Sequence, residues 1–143
     1  MTEVDDCFKK RLLIKSRPSR ELAGKSIRQA EHFLEKAENY LKLEDVETIS
    51  IYLYYAFFHA ARALLFKDGI KERSHYCTLT YLEHAYIKSG QISENYLNIL
   101  RALKESRQEI QYGFIIDNTL DLDILKDYSK KGKSFIKEIG NNI

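Results

Sequence analysis

Histidine is the one side chain whose ordinary pKa falls between about 5 and 8, and two of the four in this chain sit close to arginines. Tyr52, Tyr55, His59, Arg62 and Phe66 follow one another at intervals of three or four residues, which puts them on one stripe of a helix. An imidazole and a guanidinium then lie one turn apart among aromatic rings. Such a pair suits phosphate chemistry, since the guanidinium fork binds phosphate oxygens and the imidazole gives or takes a proton. A buried guanidinium is costly unless paired. Arg62 therefore either meets a carboxylate as a structural pair or lines a wet groove.

His75 falls in the first turn of the following helix, on a stripe with Leu79, Leu82 and Tyr86, and so points inward. Its plain reading is a neutral imidazole hydrogen-bonded to a neighbour. Its functional reading is a phosphate groove shared with His59, with Arg62 as a further candidate phosphate ligand. His32 and His84 lie on polar faces and read as solvated. Tyr52, Tyr55 and Tyr112 are able to stack on bases, although tyrosines more often fill a core with the hydroxyl reaching a partner.

Other motifs fail on their own terms. Gly24-Lys25-Ser26 and Gly132-Lys133-Ser134 end like a phosphate-binding loop, but that loop needs another glycine five residues earlier, where Ser19 and Asp127 stand. Neither follows a strand. Glu72-x-x-His75 is a single E-x-x-H, whereas a helical di-iron site needs two such pairs and two more glutamates. No C-x-x-C or H-E-x-x-H occurs. We expect no metal and no cofactor.

The elements that must position these residues read as helical throughout. The 143 residues hold one Pro and six Gly, which suits long helices with few turns, in one domain. A short first helix is expected over about residues 2–15, with Val4, Phe8 and Leu12 on one face, broken at Arg17-Pro18-Ser19. A second covers about 20–43, with Ile27, Ala30, Leu34, Ala37 and Leu41 inward. A third runs from a cap at Asp45 to Lys67, stopped at Asp68-Gly69. Ser74 caps a fourth that ends at Ser89-Gly90, and Ser93 caps a fifth that reaches about Tyr112-Gly113. Asn118 caps a sixth, with Asp121 in its first turn. The expected architecture is all-α. It is an up-and-down antiparallel bundle of four to five long helices over residues 19–143, with a short N-terminal helix and linker over residues 1–18.

Composition narrows the function classes. Lys+Arg 23 against Asp+Glu 21 leaves a net charge of +2, too balanced for binding driven by overall charge, so any site for RNA or nucleotide must be a local cluster. Cys7 and Cys77 read as two separate thiols in a reducing cytoplasm. The opening MTEVDDCFKKRLL has no apolar signal core. The most apolar stretch, residues 49–66, is interrupted by Ser50, His59 and Arg62, and reads as a buried central helix rather than a membrane span. A cytoplasmic protein without membrane contact is expected.

Tyr54-Tyr55-Ala56-Phe57-Phe58-His59-Ala60-Ala61-Arg62-Ala63-Leu64-Leu65 resembles the Y-x-A-x-F-H-A-A-R-A-L-L signature of the HEPN domain family, in its small archaeal and bacterial branch. Arg73-Ser74-His75-Tyr76 is similar to that branch's K/R-S/T-H element, and Arg107 with Tyr112 to its R-x4-Y element. The resemblance runs from about Phe8 to the C-terminus. It implies an antiparallel helical bundle, often a homodimer, and often encoded beside a minimal nucleotidyltransferase. Many members are metal-independent RNase toxins with an R-x4–6-H motif, the Arg on phosphate and the His moving protons. Arg107 matches that Arg, but Tyr112 fills the place of the His, and no His follows His84. With these matches the resemblance implies a candidate phosphate-binding set of Arg62, His59, His75, Arg73, Lys104 and Arg107 and a candidate catalytic set of Arg107, His59, His75 and Tyr112, although Arg107 and Lys104 fit an ordinary solvated basic edge equally well. A phenol with a pKa near about 10 is a poor base at neutral pH. The tyrosine that some nucleotidyltransferase partners adenylylate is replaced by Phe114. By helical arithmetic Arg107 and Tyr112 stand about 140° apart, so they share a face only if the helix loosens near Gly113 or a second subunit completes the site. Two readings follow from the resemblance. One is a nucleotide- or RNA-binding module, or nucleotidyltransferase partner, of a toxin–antitoxin-like or stress-response pair. The other is a metal-independent endoribonuclease with an altered motif.

Overall fold

The structure, a computed structural model, describes residues 2–112 and 120–143. Its axis is the helix Val46–Asp68, called α3, which holds no glycine or proline and is apolar on nearly every side. Asp45 caps its start by accepting from the Thr48 amide, and Gly69 ends it at φ +75°. Its residues from Ile49 to Leu65 supply much of the core. It is the one described helix long and apolar enough to cross a membrane, and 67% of its most apolar window is buried by the other helices.

Four elements wrap α3. Helix α2, Arg20–Leu41, lies beside it over the largest interface in the molecule. Small residues on its inner face, Ala23, Ser26, Ala30 and Ala37, let the two backbones approach, and Ser26 Oγ donates to the His59 carbonyl at 2.7 Å. Helix α4, His75–Leu82, is capped by Ser74. Helix α5, Glu94–Gln111, is capped by Ser93 and buries Leu97, Leu100 and Leu103. Helix α6, Leu122–Asn141, crosses α2 and α3 at Gly132, where a Cβ would stand 3.1 Å from Phe57 Cε2 and 3.4 Å from Leu34 Cδ1. Gly132 thus serves packing, and Phe135 one turn on stacks against Phe57 at 5.2 Å. The cap of α6 is Asp121, which accepts from the Ile124 amide at 2.9 Å. The expected cap at Asn118 lies outside the described residues.

The N-terminal region departs from expectation. Helix α1 covers only Glu3–Lys9; Arg11 then turns at φ 57°, and Leu13–Lys15 forms a strand, β1. It pairs antiparallel with β2, Ile70–Glu72, in the register Leu13↔Glu72, Ile14↔Lys71 and Lys15↔Ile70. Leu13 thereby enters a second small core with Val4, Leu65 and Ile70, burial that a continued helix would not give it. Two three-residue strands are too short to show as alternation in a sequence. The expectation of two separate thiols is also corrected: Cys7 and Cys77 are joined in a disulfide across 70 residues, with their Cα atoms 5.9 Å apart.

The fourth helix is not a plain α-helix to Ser89. Past Leu82 it widens into a π-helical stretch, Glu83–Ile87. The wider turn brings side chains five apart toward one face. Tyr81 and Tyr86 use it: both hydroxyls donate to Asp68 Oδ2, at 2.9 and 2.7 Å. The end of α3 is thus tied to α4 and the π stretch through one carboxylate.

Candidate functional site

Helix α3 carries two stripes with different fates. Leu53, Phe57, Ala60 and Leu64 are fully buried, whereas Tyr52, Tyr55, His59, Arg62 and Phe66 are all half-buried. Against the second stripe lies Phe33 of α2, stacked on His59 at 5.4 Å and on Tyr52 at 6.0 Å. The aromatic side of this stripe is therefore packed, and its cationic end meets β2.

Arg62 meets a carboxylate, the structural alternative of the two. Its Nε lies 2.8 Å from Glu72 Oε1, an ion pair off line for a true hydrogen bond, and its guanidinium covers the Phe66 ring at 4.9 Å. The side chain still keeps 36% of its surface in water. Glu72 is set by the register of β2. Burial raises its carboxyl pKa, and the nearby Arg62 only partly offsets this. The sequence contains the Glu72-x-x-His75 pattern, but its acid serves an arginine ten residues earlier in the chain.

His75 begins α4 and reaches Tyr54, a fully buried residue of α3. Tyr54 Oη and His75 Nδ1 stand 2.6 Å apart, and the His75 ring stacks on Phe58 at 4.1 Å. Burial pushes the His75 pKa down, and Arg107, Lys104 and Arg62 push it further the same way. Burial first, then Arg62 and His75, lower His59 to about 4. Burial raises Tyr54 to about 12 against the pull of Arg107. At neutral pH both imidazoles are therefore uncharged and the Tyr54 phenol keeps its proton. A phenol donating to Nδ1 leaves His75 with its own proton on Nε2.

From α5, the Arg107 guanidinium lies over the rings of Tyr54 at 5.2 Å and Tyr55 at 5.8 Å. Lys104, one turn earlier on the same helix, acts on His75 as well. The charges of Arg107, Lys104 and Arg62 thus all bear on His75, and Glu72 is the carboxylate paired with Arg62. Such a group can hold an anion through charge, and His75 adds a neutral donor or acceptor.

The other expected residues stand elsewhere. Arg73 is exposed, and its amide donates to the Leu12 carbonyl at 2.9 Å, which orders its backbone rather than its guanidinium. Tyr112 is the C-cap of α5 and is 69% exposed. The proposed loosening at Gly113, and Phe114, lie outside the described residues. His32 and His84 are exposed. Sequence reading overlooked Tyr54 and Phe58 as partners of His75. Both stand in the helix-three run at residues 54–65, so the signal was present, but neither falls on the stripe that periodicity singled out. Among the described residues no group of three or more His, Cys, Asp and Glu side chains is arranged to hold a metal ion.

The comparison with curated proteins returns no match. The model of the HEPN domain family matches residues 23–141. The match starts within α2 rather than near Phe8, so α1 and β1 lie outside it. With this match spanning most of the chain and a bundle built on the helix that bears residues 54–65, the protein belongs to the HEPN domain family.

Proposed function

We propose that the chain is a nucleotide- or RNA-binding module whose ligand phosphate sits at Arg62, Lys104 and Arg107 beside His75. The observation that carries this reading is the convergence of α5 cations on the α3–α4 pair formed by Tyr54 and His75. Nothing in the overall charge would demand it, since the chain is nearly neutral. The test is fluorescence anisotropy with a labelled single-stranded oligoribonucleotide. Arg107→Ala should weaken binding about fivefold to tenfold, the loss expected for one charge-assisted phosphate contact. Equal binding by Arg107→Ala and wild type would remove the reading.

One observation favours the second reading, a metal-independent endoribonuclease. A neutral His75 close to Arg107 offers, from another helix, the imidazole that Tyr112 replaces on α5. In that reaction the Tyr54–His75 hydrogen bond would run the other way, Nδ1–H donating to Tyr54 Oη, so that the free Nε2 takes the proton from the 2′-hydroxyl of the ribose and returns it to the departing 5′-oxygen while Arg107 holds the phosphate. Cleavage of cellular RNA in the presence of a chelator, abolished by both His75→Gln and Arg107→Ala, would support it. An inert wild type at high protein concentration would leave the binding module alone standing. The family resemblance further supports a homodimer and a minimal nucleotidyltransferase partner in a toxin–antitoxin-like or stress-response pair. Sedimentation of the isolated chain tests the dimer, and co-purification with a nucleotidyltransferase encoded in the neighbouring reading frame tests the partner.

A further inference from the structure

The segment before residue 23 lies outside the family match, yet it is fastened to the candidate site by two independent means, a disulfide and a strand ladder whose hydrogen bonds continue past both ends. The Cys7–Cys77 disulfide ties α1 to the first turn of α4. Strand β1 pairs with β2, whose last residue is Glu72, the partner of Arg62. The Arg73 amide donates to the Leu12 carbonyl and the Ser16 amide to the Gly69 carbonyl, at 2.9 and 2.6 Å. Between these fastenings lies the connection from α3 to α4, residues 69–77, which presents both Glu72 and His75. Only one residue, Tyr76, separates His75 from Cys77 along the chain.

Both cysteines line a groove of about 420 Å³ between α1 and α4, with Glu3, Lys10 and Tyr76 among its other walls. The cysteine residues themselves are 3% and 1% exposed, so the groove is the way a reagent reaches them. We infer that this groove is a thiol–disulfide exchange site and that the disulfide is a redox-sensitive clasp holding Glu72 and His75 in register with α3 and α5. The reactant is a reduced dithiol. One of its thiolates attacks a sulfur of the pair; the S–S bond breaks, and the other cysteine leaves as thiolate and takes up a proton. The second thiol of the reductant then displaces the first cysteine from the mixed disulfide. Two electrons and two protons pass to the protein, and the dithiol becomes a cyclic disulfide. Without the cross-link, the N-terminal segment is held by a three-residue ladder and a small apolar cluster, and opens more often. The exchange step stands on the cysteines and the groove; its effect on ligand binding rests on reading the cationic cluster as a phosphate site.

The test uses the full chain, oxidised or treated with dithiothreitol. On reduction, amide hydrogen exchange in residues 3–15 and 70–77 should quicken at least about tenfold, while the cores of α2, α3 and α6 keep their protection. The His75 ring resonances should move and return on reoxidation. Cys7→Ser/Cys77→Ser should match the reduced protein and ignore dithiothreitol. Free thiols in the oxidised preparation, unchanged exchange on reduction, or collapse of protection across the whole bundle would each overturn the clasp. A labelled oligoribonucleotide separates the two claims. Weaker binding by the reduced protein supports both, whereas binding by neither form, with exchange still responding, sinks the phosphate reading and leaves the clasp.

Discussion

Glu72 is the residue whose environment is most in conflict. Its charge is opposed by burial and favoured by Arg62, and burial wins. The same carboxylate competes with any phosphate for the Arg62 guanidinium. Glu72→Gln should therefore raise the affinity for an oligoribonucleotide, by about threefold to tenfold, in anisotropy titrations. His59 gives a pH dependence whose sign follows from its surroundings. Its folded-state pKa of about 4 lies below the ordinary 6.5, so the unfolded chain takes the proton first as pH falls. The stability it contributes is complete above about 6.5 and is lost as pH drops toward 4. Allowing for its partial exposure, the loss is about 2 kcal/mol. In urea unfolding followed by circular dichroism, wild type should lose about that much more than His59→Gln between neutral pH and pH ~4.5.

Among the elements, the turn that ends α3 fixes the most. Gly69 sits at φ +75°, and a Cβ there would stand 2.6 Å from the Ser16 carbonyl oxygen and 2.8 Å from Pro18 Cδ. The same residue accepts from the Ser16 amide, so it joins the helix end to the N-terminal segment. Gly69→Ala should lower stability by about 1–3 kcal/mol, from the left-handed backbone and the clash together, measured as a fall in thermal midpoint. The π stretch after α4 belongs to the same corner. It lets Tyr81 and Tyr86 share Asp68, and the buried phenols have their pKa values raised by burial and by that carboxylate. Together the glycine turn and the shared carboxylate hold the connection that carries Glu72 and His75.

For the whole molecule, the decisive quantity is a net charge of only +2. A chain so balanced exerts little long-range pull on a polyanion, and binding must come from the few cations the fold gathers. Three of them, Arg62, Lys104 and Arg107, act on His75. Neutralising about three phosphates of a single strand gives a slope of log K against log salt of about −2, and Arg107→Ala should flatten it by roughly 0.7. A slope several times steeper in wild type would mean that the ligand lies along another surface.

Local features were legible in the sequence because they depend on neighbours within one or two turns. The caps at Asp45, Ser74 and Ser93, the glycine stop at residue 69 and the inner face of α2 stand as read. The stripe of Tyr52, Tyr55, His59, Arg62 and Phe66 also follows from helical periodicity, whereas its half-burial was decided by packing. His59, Arg62 and His75 were named from their types and spacing and Arg107, with its neighbour Lys104, from the family motif, yet neither says how helices cross. Only the tertiary structure joined Tyr54 to His75, laid Arg107 over Tyr54, gave Glu72 to Arg62 and closed Cys7 onto Cys77. Each of these contacts links residues on different elements, and their meeting is decided by packing around α3, which no local pattern encodes.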